Sequence, residues 1–417
     1  MMKKNVLIVP YSHQLGSTHT LLEIGNILKD SGYNVIFAGE GYYLKFARDE
    51  KFKVVNLREI PIDTYREHTD KGDFQYLNSD QIKEFVKEEV KLLKNLKIDL
   101  VIDTLRPTMF ISTKIANVLR ITINYAILTN YYALPFAIPE SHILYKSKLL
   151  PPLYYILSKL AKPIRKMIYY KDAKPYREYL EKLGMSSRID YQELVEGDKV
   201  FIYDVREFAP LKENAPDKYV YVGAIVHDIP AQRPTWLDKV IDQKAQTGAP
   251  IIYLSMGATG SLYPKVLLAL RNYIKDVRNA IIVGNYCRHA VNSKEFEKSE
   301  NIYLTKFAPA THILKYADVV VTHGGRGTIY HSLKQGIPLI GIPHQAEQEW
   351  NNKRLEELGL GINVSRVNFS SERLFVALDN LFKDYKLYKT RCERYSSIIK
   401  GYHSREIIEN EVKKILH

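Results

Sequence analysis

The sequence predicts an α/β protein built from two doubly wound, Rossmann-like domains facing each other across a cleft, and three observations carry that prediction. The chain has 417 residues, and domains of roughly 100–200 residues make two the expected number. Short, unbroken, β-branched apolar runs alternate with stretches of helical spacing, which is the pattern of parallel strands buried on both faces and joined by helical crossovers. The alternation lapses between 223 and 250, a stretch rich in Pro, Gln, Asp and Gly, and then begins again. Ligands of such sheets sit beyond the carboxyl ends of the strands. Loops that follow strands are therefore where site residues are sought.

The elements follow in order. Asn5–Val9 (NVLIV) reads as the first strand, and a polar loop covers 11–18. Leu21, Leu22, Ile24, Ile27 and Leu28 then recur at helical spacing, Gly32 stops that helix, and 35–38 begins a second strand. A charged helix spans 79–96, and a strand over 99–102 ends at Asp103. Another strand covers 121–125. The stretch 131–180 mixes Tyr, Leu, Pro and Lys with little strand character and reads as helices and loops inserted in the first domain. Strands at 200–203 and 219–222 close that domain, giving 1–225 for it and 226–250 for a linker. The second series has strands at 251–255, 280–283, 302–305, 319–322 and 339–342, in a domain of 251–390. The charged stretch 386–417 reads as one long helix, whose 391–417 part is free to pack back on the first domain.

Composition narrows the function classes. Sixty basic residues against 47 acidic ones give a net charge of +13, with 46% hydrophobic residues. No zinc-finger spacing, basic zipper or aromatic RNA-binding signature accompanies that charge, so anionic ligands or an anionic membrane surface explain it better than nucleic acid. Cys287 and Cys392 form neither a disulfide framework nor a zinc site, which fits a reducing, cytoplasmic setting. The apolar run near the start is too short for a signal-peptide core. No run reaches the ~18 apolar residues of a membrane span. The segment 149–170 (LLPPLYYILSKLAKPIRKMIYY) combines apolar and aromatic residues with Lys and Arg. It has two readings: a basic amphipathic stretch making a peripheral membrane contact, or helices lining an acceptor pocket with a solvated basic side.

Chemistry concentrates in the second series. The strand at 319–322 runs into His323, Gly324, Gly325, Arg326, Gly327 and Thr328, where a helix opens. Unpaired backbone N–H groups at a helix start, with the positive dipole end behind them, suit a phosphate. Glycines let the anion approach the backbone, and His323 and Thr328 can add donors. A plain tight turn with a buried histidine is the competing reading. Gly336, Pro338 and then Glu347, Gln348 and Asn351 follow, carboxylate and amides of the kind that hold sugar hydroxyls.

Phe307-Ala308-Pro309, His323-Gly-Gly-x-Gly-Thr328, Gly336-x-Pro338 and Glu347-Gln348 with Asn351 together resemble the donor-binding signature of family 1 nucleotide-sugar glycosyltransferases, among them macrolide, sterol and plant secondary-metabolite glucosyltransferases. The resemblance implies the GT-B fold and a UDP-sugar co-substrate, with no cofactor and no metal. It implies backbone contacts to the diphosphate from Ser255, Gly257 and Ala258, and base stacking by Phe307 where the family usually carries tryptophan. His323, Gly325, Gly327 and Thr328 would hold the diphosphate, and Glu347 and Gln348 the sugar. His331 stands where plant members carry a ribose-binding glutamate, so the ribose grip departs from theirs. The family's acceptor base is a histidine between the first strand and first helix, for which His13 and His19 are the candidates. Asp103 resembles the aspartate that orients this base, against the plainer reading of a helix cap. The expected partners are a nucleotide-sugar donor and a hydrophobic small-molecule or lipid acceptor. Two alternatives stand beside an inverting transferase: a UDP-sugar 2-epimerase or lipid-pathway N-acetylglucosaminyl transferase of the same fold, and a non-enzymatic nucleotide-sugar sensor.

Overall fold

The structure is a computed structural model that describes residues 3–71, 73–136, 139–140, 150–186, 188–227, 232–257, 262–285, 300–305 and 309–416. The chain divides into two compact units. Unit 1 comprises Met1–Pro135, Lys159–His227 and Tyr402–His417, and unit 2 comprises Phe136–Ser158 and Asp228–Gly401.

In unit 1 the described residues form a seven-stranded sheet in the order β3-β2-β1-β4-β5-β6-β7. The strands are β1 (Asn5–Val9), β2 (Asn34–Ala38), β3 (Lys53–Val55), β4 (Leu100–Asp103), β5 (Leu119–Asn124), β6 (Lys199–Ile202) and β7 (Tyr219–Tyr221). Every pairing is parallel. Val6, Leu7, Ile8 and Val9 are fully buried, as expected of a central strand covered by helices on both faces. Leu7, Val9, Ile36 and Val101 share one core cluster with Leu93 and Met109 from the covering helices. The order reverses between β1 and β4, so the crevice of this sheet opens beyond Val9 and Asp103.

Unit 2 repeats the plan with a six-stranded parallel sheet in the order β10-β9-β8-β11-β12-β13. Its strands are β8 (Ile251–Ser255), β9 (Ile281–Asn285), β10 (Ile302–Thr305), β11 (Val319–Thr322), β12 (Leu339–Gly341) and β13 (Gly361–Asn363). Here the reversal falls between β8 and β11. The α/β class and the doubly wound sheets are those expected from the sequence.

Four details differ from the sequence reading. The three-residue edge strands β3 and β13 are too short to show a period. The segment expected to link the domains contains a helix, Leu237–Thr247, which buries Leu237 and Val240 and ends at Gly248 with φ +69°. Its two buried residues are lost among polar neighbours in the sequence. The expected insert in the first domain is divided, because Phe136–Ser158 cluster with unit 2. The final helix is two helices, Tyr385–Lys400 and Ser404–Leu416. Between them Tyr402 Oη accepts a bond from the Arg206 amide at 2.7 Å, and a Cβ on Gly223 would stand 2.7 Å from the Tyr402 Cβ. That close approach fixes the break. The second helix then lies on unit 1 through Arg405–Asp30 at 3.0 Å and Lys199–Glu411 at 3.3 Å.

Candidate functional site

Unit 2 brings three loops together at the carboxyl ends of adjacent strands. Ser255 of β8 pairs in register with Thr322 of β11, and Thr322 with Gly341 of β12. The loops that follow these residues therefore share one edge of the sheet, at its reversal point.

After β11 the backbone turns through Gly324 at φ +93°, and a Cβ there would lie 2.2 Å from the Asn352 amide. Left-handed geometry and the packed amide both demand glycine. The turn is tied down by Asn351 Nδ2, which donates to the Gly324 carbonyl at 2.9 Å, and by Asn352 Nδ2, which donates to the His323 carbonyl at 3.4 Å. The helix Arg326–Lys334 then starts at Gly325 with no side-chain cap. Its first N–H groups thus have no side-chain cap and stand at the positive dipole end, an arrangement that suits an anion. Gly327 is exposed and Thr328 half-buried on that first turn.

His323 stands in front of the terminus. Its Nδ1 lies 3.4 Å from the Ser255 carbonyl. A carbonyl only accepts, so Nδ1 carries the proton and Nε2 is the bare, accepting nitrogen of the neutral ring. Burial pulls this histidine down to about 4, against the raising effect of the Ser255 bond. Two glycines flank the Nε2 edge: Cβ atoms on Gly325 and Gly257 would lie 2.7 and 3.0 Å from it. Gly257 has φ +65° besides. Side chains at either position would fill the space in front of Nε2.

The loop after β12 supplies His344, which the sequence reading passed over. Its backbone N–H donates to Gln348 Oε1 at 2.8 Å, and its ring stacks on His323 with centroids 6.4 Å apart and planes at 21°. Burial, then the charges of His323 and Arg366, bring His344 down to about 4. A histidine directly after the proline that closes a strand, two loops from His323, was the available signal.

The other expected donor-site residues are placed as follows. Glu347 accepts a bond from Asn351 Nδ2 and lies 3.9 Å from Arg326 Nε. Gln348 is buried with its carbonyl oxygen engaged by His344. His331 is half-buried on the helix Arg326–Lys334. Ala258 and Phe307 lie outside the described residues.

In unit 1, the loop after β1 is held by Glu59, which is 2% exposed. Its carboxylate accepts from the Ser12 amide at 2.6 Å, from Ser12 Oγ, and from the Gly41 amide at 3.0 Å. His13 follows directly, with its ring edge-on to Tyr11 at 5.5 Å and its Nε2 enclosed without a hydrogen-bond partner among the described residues. Tyr11, Glu59, Thr104 and Arg106 line a small cavity between the ends of β1 and β4. His19 lies one turn into the helix Leu15–Asp30, its ring edge-on to His227 at 5.3 Å.

His227 is a second residue that the sequence reading missed. Its Nδ1 meets Glu23 at 2.8 Å and its Nε2 meets Glu50 at 2.6 Å. Burial lowers its pKa, but the hydrogen bonds to the two carboxylates prevail and push it up to about 9. It is an imidazolium at neutral pH.

Asp103 requires a correction. Among the described residues its hydrogen-bonded side-chain partner is Arg120 and not a histidine: its two carboxylate oxygens accept from Nε at 2.7 Å and Nη2 at 2.8 Å. Asp103 is fully buried and Arg120 is 2% exposed. Arg120 also donates to the carbonyls of Leu194 and Arg106 at 2.9 and 3.0 Å. The pair clamps β4 to β5.

Comparison with known proteins bears on this geometry. The glycosyltransferase family 28 C-terminal domain matches residues 261–402. A PGL/p-HBAD biosynthesis rhamnosyltransferase of Mycobacterium bovis (strain BCG / Pasteur 1173P2) is 22% identical over 378 residues, covering 89% of this chain and 79% of the relative. Among known structures, the calicheamicin glycosyltransferase CalG4 superposes with a TM-score of 0.72 at 17% identity, covering 100% of this chain and 99% of the other. SsfS6 of Streptomyces sp. SF2575, a glycosyltransferase complexed with thymidine diphosphate, has a TM-score of 0.65 at 15% identity, over 98% of this chain and 99% of the other.

Proposed function

We propose that this chain, a glycosyltransferase of the GT-B fold, moves a hexose from a nucleoside diphosphate to a hydroxyl of a hydrophobic small-molecule or lipid acceptor, with inversion and without metal. The observation that carries the donor half is the uncapped helix start at Gly325, faced by His323 across a cradle of Gly257 and Gly325. Preorganised N–H groups and a dipole aimed where charge develops stabilise a departing diphosphate without a cation. On the acceptor side, a histidine of the β1 loop removes the hydroxyl proton as the oxygen attacks the anomeric carbon opposite the leaving group. UDP is the nucleotide implied by the donor signature, and the thymidine diphosphate bound by SsfS6 makes dTDP its competitor. The names of the relatives favour transfer over epimerisation or sensing.

The test is release of free nucleoside diphosphate from UDP-glucose and from dTDP-sugars, with and without acceptors, in EDTA. Turnover of one nucleotide series at an unchanged rate in EDTA is the expected result. Loss of turnover in EDTA with recovery in Mg²⁺ would refute metal independence. No turnover of either series would refute the donor reading.

The acceptor class motivates a second proposal. No helix among the described residues is long and apolar enough to cross a membrane. The helix Leu150–Asp172 nevertheless exposes Leu160, Ile164, Met167, Ile168 and Tyr170, with Met167 67% exposed. Lys166 and Lys171 are exposed beside them. Its opposite side is fastened to unit 1 by Lys162 to the Tyr132 carbonyl at 2.6 Å and Arg165 to the Ile127 carbonyl at 2.7 Å. An apolar stripe flanked by lysines suits an anionic lipid surface. The protein is expected to sediment with vesicles containing phosphatidylglycerol and not with phosphatidylcholine alone, and Ile164→Glu with Met167→Glu should abolish this. Equal sedimentation of that double variant would eliminate the stripe as the contact.

A further inference from the structure

We propose that His344 is a second imidazole of the diphosphate subsite, and that the anion enters together with a proton taken up from solvent onto the His323–His344 pair. This rests on the diphosphate reading above and goes further, by adding a binding residue and a proton to the binding equilibrium.

The geometry creates a conflict that binding must resolve. Nδ1–H of His323 is committed to the Ser255 carbonyl, so the nitrogen left facing the glycine cradle is a lone pair. A lone pair repels a phosphate oxygen, whereas an N–H⁺ there would donate to it with a charge-assisted bond. The His344 ring stands roughly parallel to it, with centroids 6.4 Å apart. Its Nε2 is enclosed with no hydrogen-bond partner among the described residues, and a buried polar nitrogen of this kind calls for a partner. Its backbone position is fixed by Gln348, so the ring is held at the subsite by structure rather than by solvent.

Burial is the main reason both rings are neutral without ligand, and neighbouring positive charge adds to it at His344. Arg366 faces His344 and lies 3.7 Å from Glu349, whose other oxygen accepts from the Glu140 amide. Arg326, at the start of the helix, lies 3.9 Å from Glu347 and donates to Tyr330 Oη at 3.4 Å. The helix terminus adds positive potential. Two half-buried imidazoles among these groups are neutral near pH 7, consistent with both being drawn down to about 4. A diphosphate brings two negative charges into the same space, which reverses the sign of the local field and favours the protonated ring. The proton becomes the donor that the neutral site lacks.

The measurement is calorimetric titration with UDP-glucose and with dTDP-glucose at pH 7.5, in buffers of different ionisation enthalpy. In a sugar nucleotide both phosphates are diesters, so neither titrates near neutral pH and any uptake belongs to the protein. The expected result is uptake of roughly half to one proton per bound donor. His344→Gln and His323→Gln should each lower the uptake and weaken binding about tenfold or more, and the double variant should take up none. Binding of the wild type without proton uptake would overturn the proposal while leaving the donor site standing. Uptake and affinity unchanged in His344→Gln would remove His344 from the subsite. Failure of the folded protein to bind either donor would instead overturn the donor reading, and this inference with it.

Discussion

His13→Ala is expected to lower kcat by about 10²–10⁴-fold, the usual contribution of a positioned general base, while the affinity for the nucleotide sugar is unchanged because the proposed donor contacts lie in unit 2. The sequence offers both His13 and His19 and favours His13, whose place in the loop faces the cleft, and two features of the structure support the same choice. His13 follows Ser12, whose amide and hydroxyl are both held by the buried Glu59 carboxylate. Gly41 packs so closely that a Cβ on it would lie 2.5 Å from the His13 amide nitrogen. The backbone that carries His13 is therefore rigid, as a base needs to be. His19 has the His227 imidazolium 5.3 Å away, held charged by Glu23 and Glu50. A fixed cation at that distance opposes the arrival of a second one, which a base must become. His19→Ala should change kcat much less. The check is kcat and donor Kd for both variants with a working acceptor. A large loss in His19→Ala with none in His13→Ala would reverse the assignment.

Asp103→Ala should destabilise unit 1 by about 3–5 kcal/mol, the usual consequence of leaving one member of a buried ion pair uncompensated. Arg120 would remain almost wholly enclosed with a full charge and no counter-ion. Asp103→Asn should behave in the same direction, since an amide restores one acceptor and no charge. Replacing both partners, with Asp103→Leu and Arg120→Met, should recover much of the loss, because it removes the buried charge altogether. Thermal or urea unfolding of the three variants measures this. A lowered kcat in Asp103→Asn with unaltered stability would restore the role that the family resemblance gave this residue.

The amino-acid sequence by itself determined the class of fold, because parallel strands covered on both faces must be continuous apolar runs, and β1, β8 and β11 are such runs. It also singled out the segment of unit 2 for which anion binding is proposed. That site is local: glycine, histidine and a helix start lie within a few residues of one another, so spacing alone reveals them. What only the tertiary structure decided depends on residues far apart along the chain. Asp103 meets Arg120 across 17 residues, and His227 meets Glu50 and Glu23 across 177 and 204. No periodicity encodes such pairs, because the partners belong to different elements and are aligned only when the sheet orders its strands. The same limit hid His344, which is unremarkable beside Pro343 until β12 is laid next to β11 and their loops bring two nearly parallel imidazoles within 6.4 Å of each other.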